Sequence, residues 1–351
     1  MRNNRSVVGA AKAIAYLTPI SAERANLTIR NLEAVFQPES VAIIGASERP
    51  GSLGRILLEN ILQDFAGPVY AINPSHDMLL GRPAYRDVTA LPAAPDLAII
   101  ATPPETVPEL VASLAARGTR GVCVITAGFG THDDGGPARR QAMLDAAQPL
   151  LVRIVGPNCV GLQIPGIGLN GSFASVFPNP GRIGFVAQSG AVITAVLDWA
   201  YPRGIGFSHV VSLGDMADVD FGDMLDYLSN DEGTDAILLY IEAVTHARKF
   251  LSAARAAARS KPVVVVKAGR FDAGAKAAAS HTGALAGMDA VYDAAFRRAG
   301  MLRVLALEDL FDVVETLATA RVPQGDNLTI LTNGGGLGVL AADALMAEGG
   351  T

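Results

Sequence analysis

Short, nearly uninterrupted runs of apolar residues alternate along the chain with longer stretches in which apolar residues recur every three or four positions. The first pattern is typical of strands buried on both faces, and the second of amphipathic helices. Between residues 36 and 165, the predicted strands are VAII (41–44), VYAI (69–72), LAIIA (97–101), VCVI (122–125) and RIV (153–155). Strands that alternate with helices in this way predict an α/β fold with a parallel sheet covered on both faces.

The same pattern repeats further along the chain and predicts a second α/β domain. Its strands are GFVA (184–187), HVVSL (209–213), AILLYI (236–241) and VVVVKA (263–268). A third repeat begins in NLTILTNGGGLGVLAADALMAEGGT (327–351), which predicts one strand, a glycine-rich turn and one helix. Because a single strand and helix do not bury their own apolar surface, we expect the chain to be a fragment, or a partner to complete this third unit.

Composition and charge narrow the class of protein. The formal net charge is −6 and no run of Lys or Arg indicates a nucleic-acid surface, so nucleic acid is not an expected partner. No uncharged stretch has the length of a membrane span, and Lys12 interrupts the N-terminal segment that superficially resembles a targeting signal. Cys123 and Cys159 have no metal-ligand spacing, so we expect reduced thiols, no metal site and a cytoplasmic location.

Ligands of doubly wound sheets bind beyond the carboxyl ends of the strands. After the first strand, GASERPGSLG (45–54) offers backbone amides and a helix N-terminus, which favour phosphate groups. The glycines at 45, 51 and 54 do not follow the G-x-G-x-x-G spacing, and Asn73 stands where an NAD site places an acid. Both features argue against a dehydrogenase. The alternative to a nucleotide site is a glycine turn that only packing requires.

A second site is expected where the strands of the second domain end. Ser189 and Gly190 open one helix there, and Glu242 follows the strand AILLYI. Apolar spacing from Thr282 onward predicts another helix, which places His281 at or just before its N-terminus. Two facing helix N-termini would hold a phosphoryl group, His281 would be its covalent acceptor, and Glu242 would orient the imidazole. Alternatively, the carboxylate faces water and the histidine only caps a helix.

These residues belong to a larger set of ordered motifs. They are VAIIGAS with GSLG, YAINP, LPAAPDLAIIATPP, ITAGF, GPNCVG, GFVAQSGA, SLGDMADVDFGDMLDYL, YIEAV and SHTGALAG. In this order the chain resembles the NDP-forming acyl-CoA synthetases, which include ADP-forming acetate–CoA ligase and the α subunit of succinyl-CoA synthetase. The resemblance runs from about residue 36 to the C-terminus.

The resemblance implies four segments. They are an N-terminal extension (1–35), a Rossmann-like CoA-binding domain (36–165), a flavodoxin-like ligase domain (166–322) and the start of a third, incomplete flavodoxin-like domain (323–351). It also implies a set of coenzyme A contacts, namely Gly45, Ala46, Ser47, Gly54, Asn73 and Pro103.

The implied reaction interconverts a carboxylic acid, CoA and ATP with acyl-CoA, ADP and phosphate. His281 carries the phosphoryl group, Glu242 steadies it, and the implied phosphate-binding residues are Ser189, Gly190, Thr282 and Gly283. The chain lacks an ATP-grasp segment, so ATP or ADP and Mg²⁺ would bind to a partner subunit or a missing domain, and we expect an oligomer. The sequence does not identify the acyl group.

Two further interpretations stay open. The acidic stretch DMADVDFGD, with Asp215, Asp218, Asp220 and Asp223, has the composition of a metal site, but a solvated acidic loop is the prediction. The alternative function is a CoA-binding regulatory module of a larger acyltransferase fusion, without ligase activity.

Overall fold

The computed structural model describes residues 29–271, 274, 288–319, 327–347, 349 and 350. The chain forms two compact units, Met1–Ala318 and Thr319–Thr351. Across the described ranges, no helix combines enough length and apolar character to cross a membrane.

The first sheet has the strand order β3-β4-β2-β1-β5-β6-β7, in which β3 is antiparallel to β4 and the other neighbours are parallel. Its strands are β1 Val41–Ile44, β2 Val69–Ile72, β3 Met78–Leu79, β4 Arg82–Tyr85, β5 Leu97–Ile100, β6 Gly121–Val124 and β7 Arg153–Val155. The helices of this part are α1 Glu33–Phe36, α2 Leu53–Asp64, α3 Val107–Arg117 and α4 Gly136–Ala147.

The second sheet has the order β14-β13-β12-β10-β11-β8-β9. Its strands are β8 Gly161–Ile164, β9 Leu169–Ser172, β10 Asn179–Ala187, β11 Gly206–Ser212, β12 Ala236–Ile241, β13 Val263–Lys267 and β14 Leu302–Val304. Its helices are α5 Gly190–Ala200, α6 Phe221–Asn230, α7 Ala247–Ser260, α8 Asp289–Ala299 and α9 Leu307–Thr319.

Both sheets are doubly wound. In the first, β1 pairs with β2 on one side and β5 on the other, so the strand order reverses between β1 and β5. In the second, β10 pairs in the same way with β11 and β12, which gives the flavodoxin-like order. The predicted α/β architecture is therefore confirmed, and each sheet has one switch point where a ligand binds in folds of this kind.

One apolar core joins the two sheets. Along β1, Val41 and Ile43 face this shared core, while Ala42 and Ile44 face a separate core on the other side of the first sheet. The shared core continues into the second sheet through Val186 of β10. Because successive strand residues point to opposite faces and both faces are buried, these strands are continuously apolar.

The acidic stretch is an interdomain connection and not a solvated loop, so that prediction was wrong. The backbone amides of Asp215, Ala217 and Val219 donate to the carbonyls of Pro157, Gly156 and Ile154 at 2.9, 3.0 and 3.1 Å. The segment 215–219 therefore pairs with residues 154–157, which are the last two residues of β7 and the two that follow it. This pairing fixes the second sheet against the first.

Two of the four aspartates are buried. Asp220 and Asp223 are 4% and 1% exposed, and their side chains form a capping box at the N-terminus of α6. Lys249 Nζ lies 3.0 Å from Asp220 Oδ1 and 2.5 Å from Asp223 Oδ2. Burial alone would raise the pKa of Asp220, but the charge and hydrogen bond of Lys249 lower it. The Lys249 cation therefore offsets the cost of removing these two carboxylates from water.

A third aspartate of the stretch anchors the first domain. Asp218 Oδ2 accepts from Arg153 Nε at 2.9 Å and from the Ile154 amide at 2.8 Å. Arg153 Nη2 also lies 3.3 Å from Asp223 Oδ1. Arg153 therefore joins β7 to the acidic stretch through Asp218 and to α6 through Asp223.

The second compact unit contains one described helix, α10 Gly335–Ala347. The predicted helix is confirmed, but the predicted strand is not formed within the described residues 327–334. Leu337, Val339 and Leu340 on α10 are exposed.

A buried histidine makes the folded state sensitive to acid. His209 in β11 is 5% exposed, and neither ring nitrogen has a hydrogen-bond partner among the described residues, since Asp231 Oδ2 is 3.8 Å from Nδ1. Burial lowers the pKa of His209 from 6.5 to about 4, with Asp231 opposing and Lys261 adding to the shift. The folded state therefore holds a neutral imidazole, whereas the unfolded chain binds a proton below its ordinary pKa.

We expect the free energy of unfolding to be fully retained above pH 6.5 and to fall by about 2–3 kcal/mol toward pH 4 on account of this residue. His209→Leu should remove that part of the pH dependence in denaturant titrations. The control is His132→Asn on an exposed loop, which should retain the acid-induced loss seen in the parent. An unchanged pH dependence in His209→Leu would contradict the assignment.

Candidate active site at two facing switch points

The turn after β1 is built by close backbone packing. Gly45 has φ +91°, and a side chain there would press against the Ala101 carbonyl oxygen at 2.9 Å. A methyl group at Gly54 would overlap the Gly45 carbonyl oxygen, so the start of α2 lies directly on this turn. Ser52 caps α2, since its hydroxyl accepts from the Arg55 amide at 3.4 Å. Both glycines are needed for the helix N-terminus to approach the strand end.

Asn73 connects the end of β2 to this turn. Its Nδ2 donates to the Ala46 carbonyl at 2.8 Å, and its Oδ1 accepts from the Ser75 amide at 2.8 Å. An aspartate could not donate to Ala46, which explains an amide at the position where an NAD site places an acid. Ser47 accepts from the Arg49 amide at 3.0 Å, and Pro103 begins a turn of 3₁₀ helix after β5. The six predicted coenzyme contacts therefore lie around the switch point of the first sheet.

The switch point of the second sheet is organised by Gln188. Its Oε1 accepts from the amides of Glu242 and Ala243, at 2.7 and 2.9 Å. Gln188 directly follows β10, and its side-chain oxygen therefore holds the backbone in place just after β12. Ser189 caps α5 and accepts from the Val192 amide at 3.4 Å, as predicted for a residue that opens a helix.

Ser189, Gly190 and Glu242 line one cavity of about 530 Å³. The other wall comes from the first domain and the segment joining the two sheets, with Leu53, Thr102, Thr126, Asn158, Cys159 and Val160 among its residues. The ends of β5 and β6 therefore share this cavity with the switch point of the second sheet, while the six predicted coenzyme contacts do not line it. Its size is that of a small-molecule site.

Glu242 is only 7% exposed, in an apolar strand end. Burial and the Glu242 charge together raise the pKa of the neighbouring Tyr240. Lys267, at the end of the adjacent β13, is buried with its Nζ 4.6 Å from the centre of the Tyr292 ring, and burial lowers its pKa. The cavity thus combines a carboxylate with the N-terminus of α5, whose free amides attract anions.

His281, Thr282 and Gly283 lie outside the described residues, so their positions stay predictions. The helix that follows begins at Asp289 with Met288 as its N-cap, which is later than the predicted start at Thr282. Both flanks of the segment are fixed beside β12: the Ala268 amide donates to Ile241 O at 2.9 Å, and the Val244 amide donates to the Tyr292 hydroxyl at 3.3 Å.

Sequence reasoning missed the contribution of Cys159 and did not connect Asn158 with Asp215. Asn158 has φ +56° and its Nδ2 donates to Asp215 Oδ1 at 3.1 Å, across the domain interface. The signal was present, because Asn158 follows a strand end and Asn tolerates the left-handed region. Without the fold, nothing indicated that this strand end faces the second sheet.

We expect Gly190→Ala to destabilise the fold, because the added methyl would overlap Val160 Cγ2 across the interface. The free energy of unfolding should fall by about 1–3 kcal/mol. In a Val160→Ala background the same substitution should cost little, which a four-protein denaturant cycle measures. Gly166→Ala, with nothing near its added methyl, is the control. Equal costs in both backgrounds would contradict the packing argument.

Comparison with known proteins supports this description. Residues 39–165 match the CoA binding domain family, and residues 180–317 match the succinyl-CoA ligase like flavodoxin domain family. The fold is similar to that of the dinucleotide forming acetyl-coenzyme A synthetase 1 of Ca. Korarchaeum cryptofilum in complex with phosphate and ADP, with a TM-score of 0.85 and 36% identity. That match covers 91% of this chain and 69% of the other.

Two relatives show the family to which the chain belongs. The chain is 46% identical over 313 residues to ADP-forming acetate–CoA ligase I of Archaeoglobus fulgidus, which covers 89% of this chain but 45% of that protein. It is 40% identical over 324 residues to subunit alpha of ADP-forming acetate–CoA ligase I of Pyrococcus furiosus, covering 91% of this chain and 70% of the subunit. The chain therefore spans less than half of the first relative and most of the second, and it belongs to the family of ADP-forming acid–CoA ligases.

Proposed function

We propose that the chain is the CoA-binding and phosphohistidine-carrying part of an ADP-forming acid–CoA ligase. The observation that carries this proposal is the single cavity lined by Ser189, Gly190 and Glu242 on one wall and by the strand ends of the CoA-binding domain on the other. A thioester held by the first domain would therefore meet a phosphate held at the N-terminus of α5.

In the proposed reaction, a phosphate oxygen attacks the thioester carbonyl of acyl-CoA. The C–O bond forms, the C–S bond breaks, and the CoA thiolate leaves and takes up a proton, which gives an acyl phosphate. A nitrogen of His281 then attacks the phosphorus, so the N–P bond forms and the carboxylate leaves. Transfer of the phosphoryl group from His281 to ADP completes the reaction.

The residues of the cavity suit these steps. Free amides at the start of α5, capped by Ser189, stabilise the anionic phosphate. Glu242 would accept a hydrogen bond from one imidazole nitrogen of His281 and so direct the other nitrogen to the phosphorus. His281 is seven residues from Met288, and an extended chain reaches about 3.5 Å per residue, so His281 could lie up to about 25 Å from Met288.

Coenzyme A is proposed to bind at the first switch point, against Gly45, Ala46, Ser47, Gly54, Asn73 and Pro103. The relative from Pyrococcus furiosus is named as a subunit alpha, which implies a separate partner subunit for that protein. We infer that an ATP-grasp partner or domain would bind ADP or ATP and Mg²⁺ for this chain. The cytoplasmic location, the oligomer and the domain boundaries stay predictions, and the free thiols of Cys123 and Cys159 support the first of them.

We expect His281 to become phosphorylated when the chain is incubated with acetyl-CoA and radiolabelled phosphate, or with labelled ATP, Mg²⁺ and an ATP-grasp subunit. A phosphoramidate is acid-labile and base-stable, which distinguishes it from a phosphoester, and peptide mapping locates it. His281→Asn should abolish the label. His132→Asn is the matched control, because His132 lines a neighbouring cavity and should not carry the group.

A label that survives in His281→Asn would contradict the assignment of the acceptor. If neither donor labels any histidine while CoA still binds in a calorimetric titration, the chain is a CoA-binding regulatory module instead. If the parent chain does not bind CoA in that titration, the whole proposal is contradicted.

Glu242→Gln should slow phosphorylation of His281 by on the order of a hundredfold, because the neutral amide no longer stabilises an imidazolium or fixes its tautomer. Rapid-quench labelling measures this rate. CoA binding should be unchanged, since the predicted coenzyme contacts lie on the other domain. A variant that labels at the parental rate would show that Glu242 has no role in orienting the histidine.

A further inference from the structure

The two cysteines of the chain, Cys123 and Cys159, are far apart in sequence but in contact in the fold. Their Sγ atoms are 3.8 Å apart, and both are free thiols. Cys123 lies in β6 of the first sheet, while Cys159 belongs to the segment that leads from β7 into the second sheet. A pair of thiols therefore lies beneath the interface between the domains.

The two thiols differ in access to the cavity. Cys159 is 5% exposed and lines the same cavity as Ser189 and Glu242. Cys123 is fully buried behind it and is not among the residues that line the cavity. A molecule that enters the cavity would therefore meet Cys159 first, and Cys123 only through Cys159.

We propose that Cys159 and Cys123 form a modification site at which a small-molecule disulfide entering the cavity is reduced and the two cysteines become an intramolecular disulfide. The identity of that disulfide rests on the proposed function: a cavity that receives the thiol end of CoA would receive the disulfide of CoA in the same way. The pairing of the two cysteines does not depend on the proposed function, because it is inferred from the contact between their sulfur atoms.

The proposed chemistry is thiol–disulfide exchange in two steps. The Cys159 thiolate attacks one sulfur of the CoA disulfide, an S–S bond to Cys159 forms, and one CoA thiolate leaves. The Cys123 thiolate then attacks Cys159 Sγ, the protein disulfide forms, and the second CoA thiolate leaves. The two protons lost by the cysteines are taken up by the two departing thiolates, and one disulfide is reduced for each one formed.

The local structure allows the second step. The sulfur atoms must approach from 3.8 Å to about 2 Å for the bond to form. Gly156 makes room beside Cys159, because a methyl group there would lie 3.0 Å from its Sγ. The contact with Cys159 and burial raise the pKa of the Cys123 thiol, so it is a slow nucleophile at neutral pH.

The test uses the full chain with CoA disulfide as the probe, followed by intact mass, thiol counting in denaturant and peptide mapping. We expect the parent to lose two hydrogen atoms, to release two equivalents of CoA and to show no free thiol. The second step should accelerate roughly tenfold per pH unit while Cys123 remains protonated. Dithiothreitol should restore both thiols.

The single variants separate the two roles. Cys123→Ala should stop at a stable mixed disulfide that carries one CoA on Cys159. Cys159→Ala should not react, because the remaining thiol is buried. A parent that stops at the mixed disulfide, a disulfide between two chains, or a Cys159→Ala variant that reacts at the parental rate would overturn the proposal.

A second oxidant distinguishes this proposal from the proposed function. Diamide is small and does not depend on CoA recognition, so it should form the same disulfide as CoA disulfide does. If diamide forms the Cys123–Cys159 disulfide but CoA binding is absent in calorimetry, the pairing stands and the proposed function fails. If CoA binds but neither oxidant pairs the cysteines, the proposed function stands and the pairing fails.

Discussion

The site depends on the fixed relation between the two sheets. A single apolar core contacts one face of each sheet, and the segment 215–219 pairs with 154–157 through backbone hydrogen bonds. These contacts bring the ends of β5 and β6 of the first sheet and the switch point of the second sheet to opposite walls of one cavity. In the proposed reaction, a cleft between independently moving domains would separate the thioester from the phosphate, whereas a shared core would keep the two within reach. Asp220 and Asp223 are buried at this connection, where Lys249 of α7 pairs with both carboxylates and Arg153 of β7 pairs with Asp223. These ion pairs add to the contacts that hold the two sheets together.

Glu242 imposes a second constraint, since a carboxylate at the end of a buried strand is costly unless its charge is compensated. The same cavity holds the N-terminus of α5, which attracts anions. A carboxylate and an anion-binding helix end therefore face one space. In the proposed reaction an imidazole suits both, because one nitrogen would donate to the carboxylate while the other would bond to a phosphoryl group. The proposal thereby relates an acidic residue and an anion-binding helix end in the same cavity.

The strands that are buried on both faces were predictable, because short continuous apolar runs between helices are typical of such strands. Val41–Ile44, Val69–Ile72 and Ala236–Ile241 coincide with their predictions. Gly161–Ile164 and Leu169–Ser172 were missed because polar residues and glycine interrupt their apolar pattern, and because they join the rest of the sheet only through antiparallel pairing of the first with the distant β11. The acidic stretch was misjudged because its cationic partner Arg153 lies 65 residues from Asp218. Apolar spacing counted Met288 as part of the predicted helix, whereas Met288 is the exposed N-cap of α8, which begins at Asp289.

The glycine-rich motifs that carried the family resemblance are mostly packing devices. A side chain at Gly214 would overlap the Pro157 carbonyl, one at Gly190 would overlap Val160, and one at Gly54 would overlap Gly45. Such residues allow backbones to approach across turns and domains, and they would serve a coenzyme-binding scaffold equally well. The motifs therefore do not separate a ligase from a CoA sensor. The proposed role of Glu242 separates them, because only a ligase needs a carboxylate in this cavity to orient a phosphoryl-accepting imidazole.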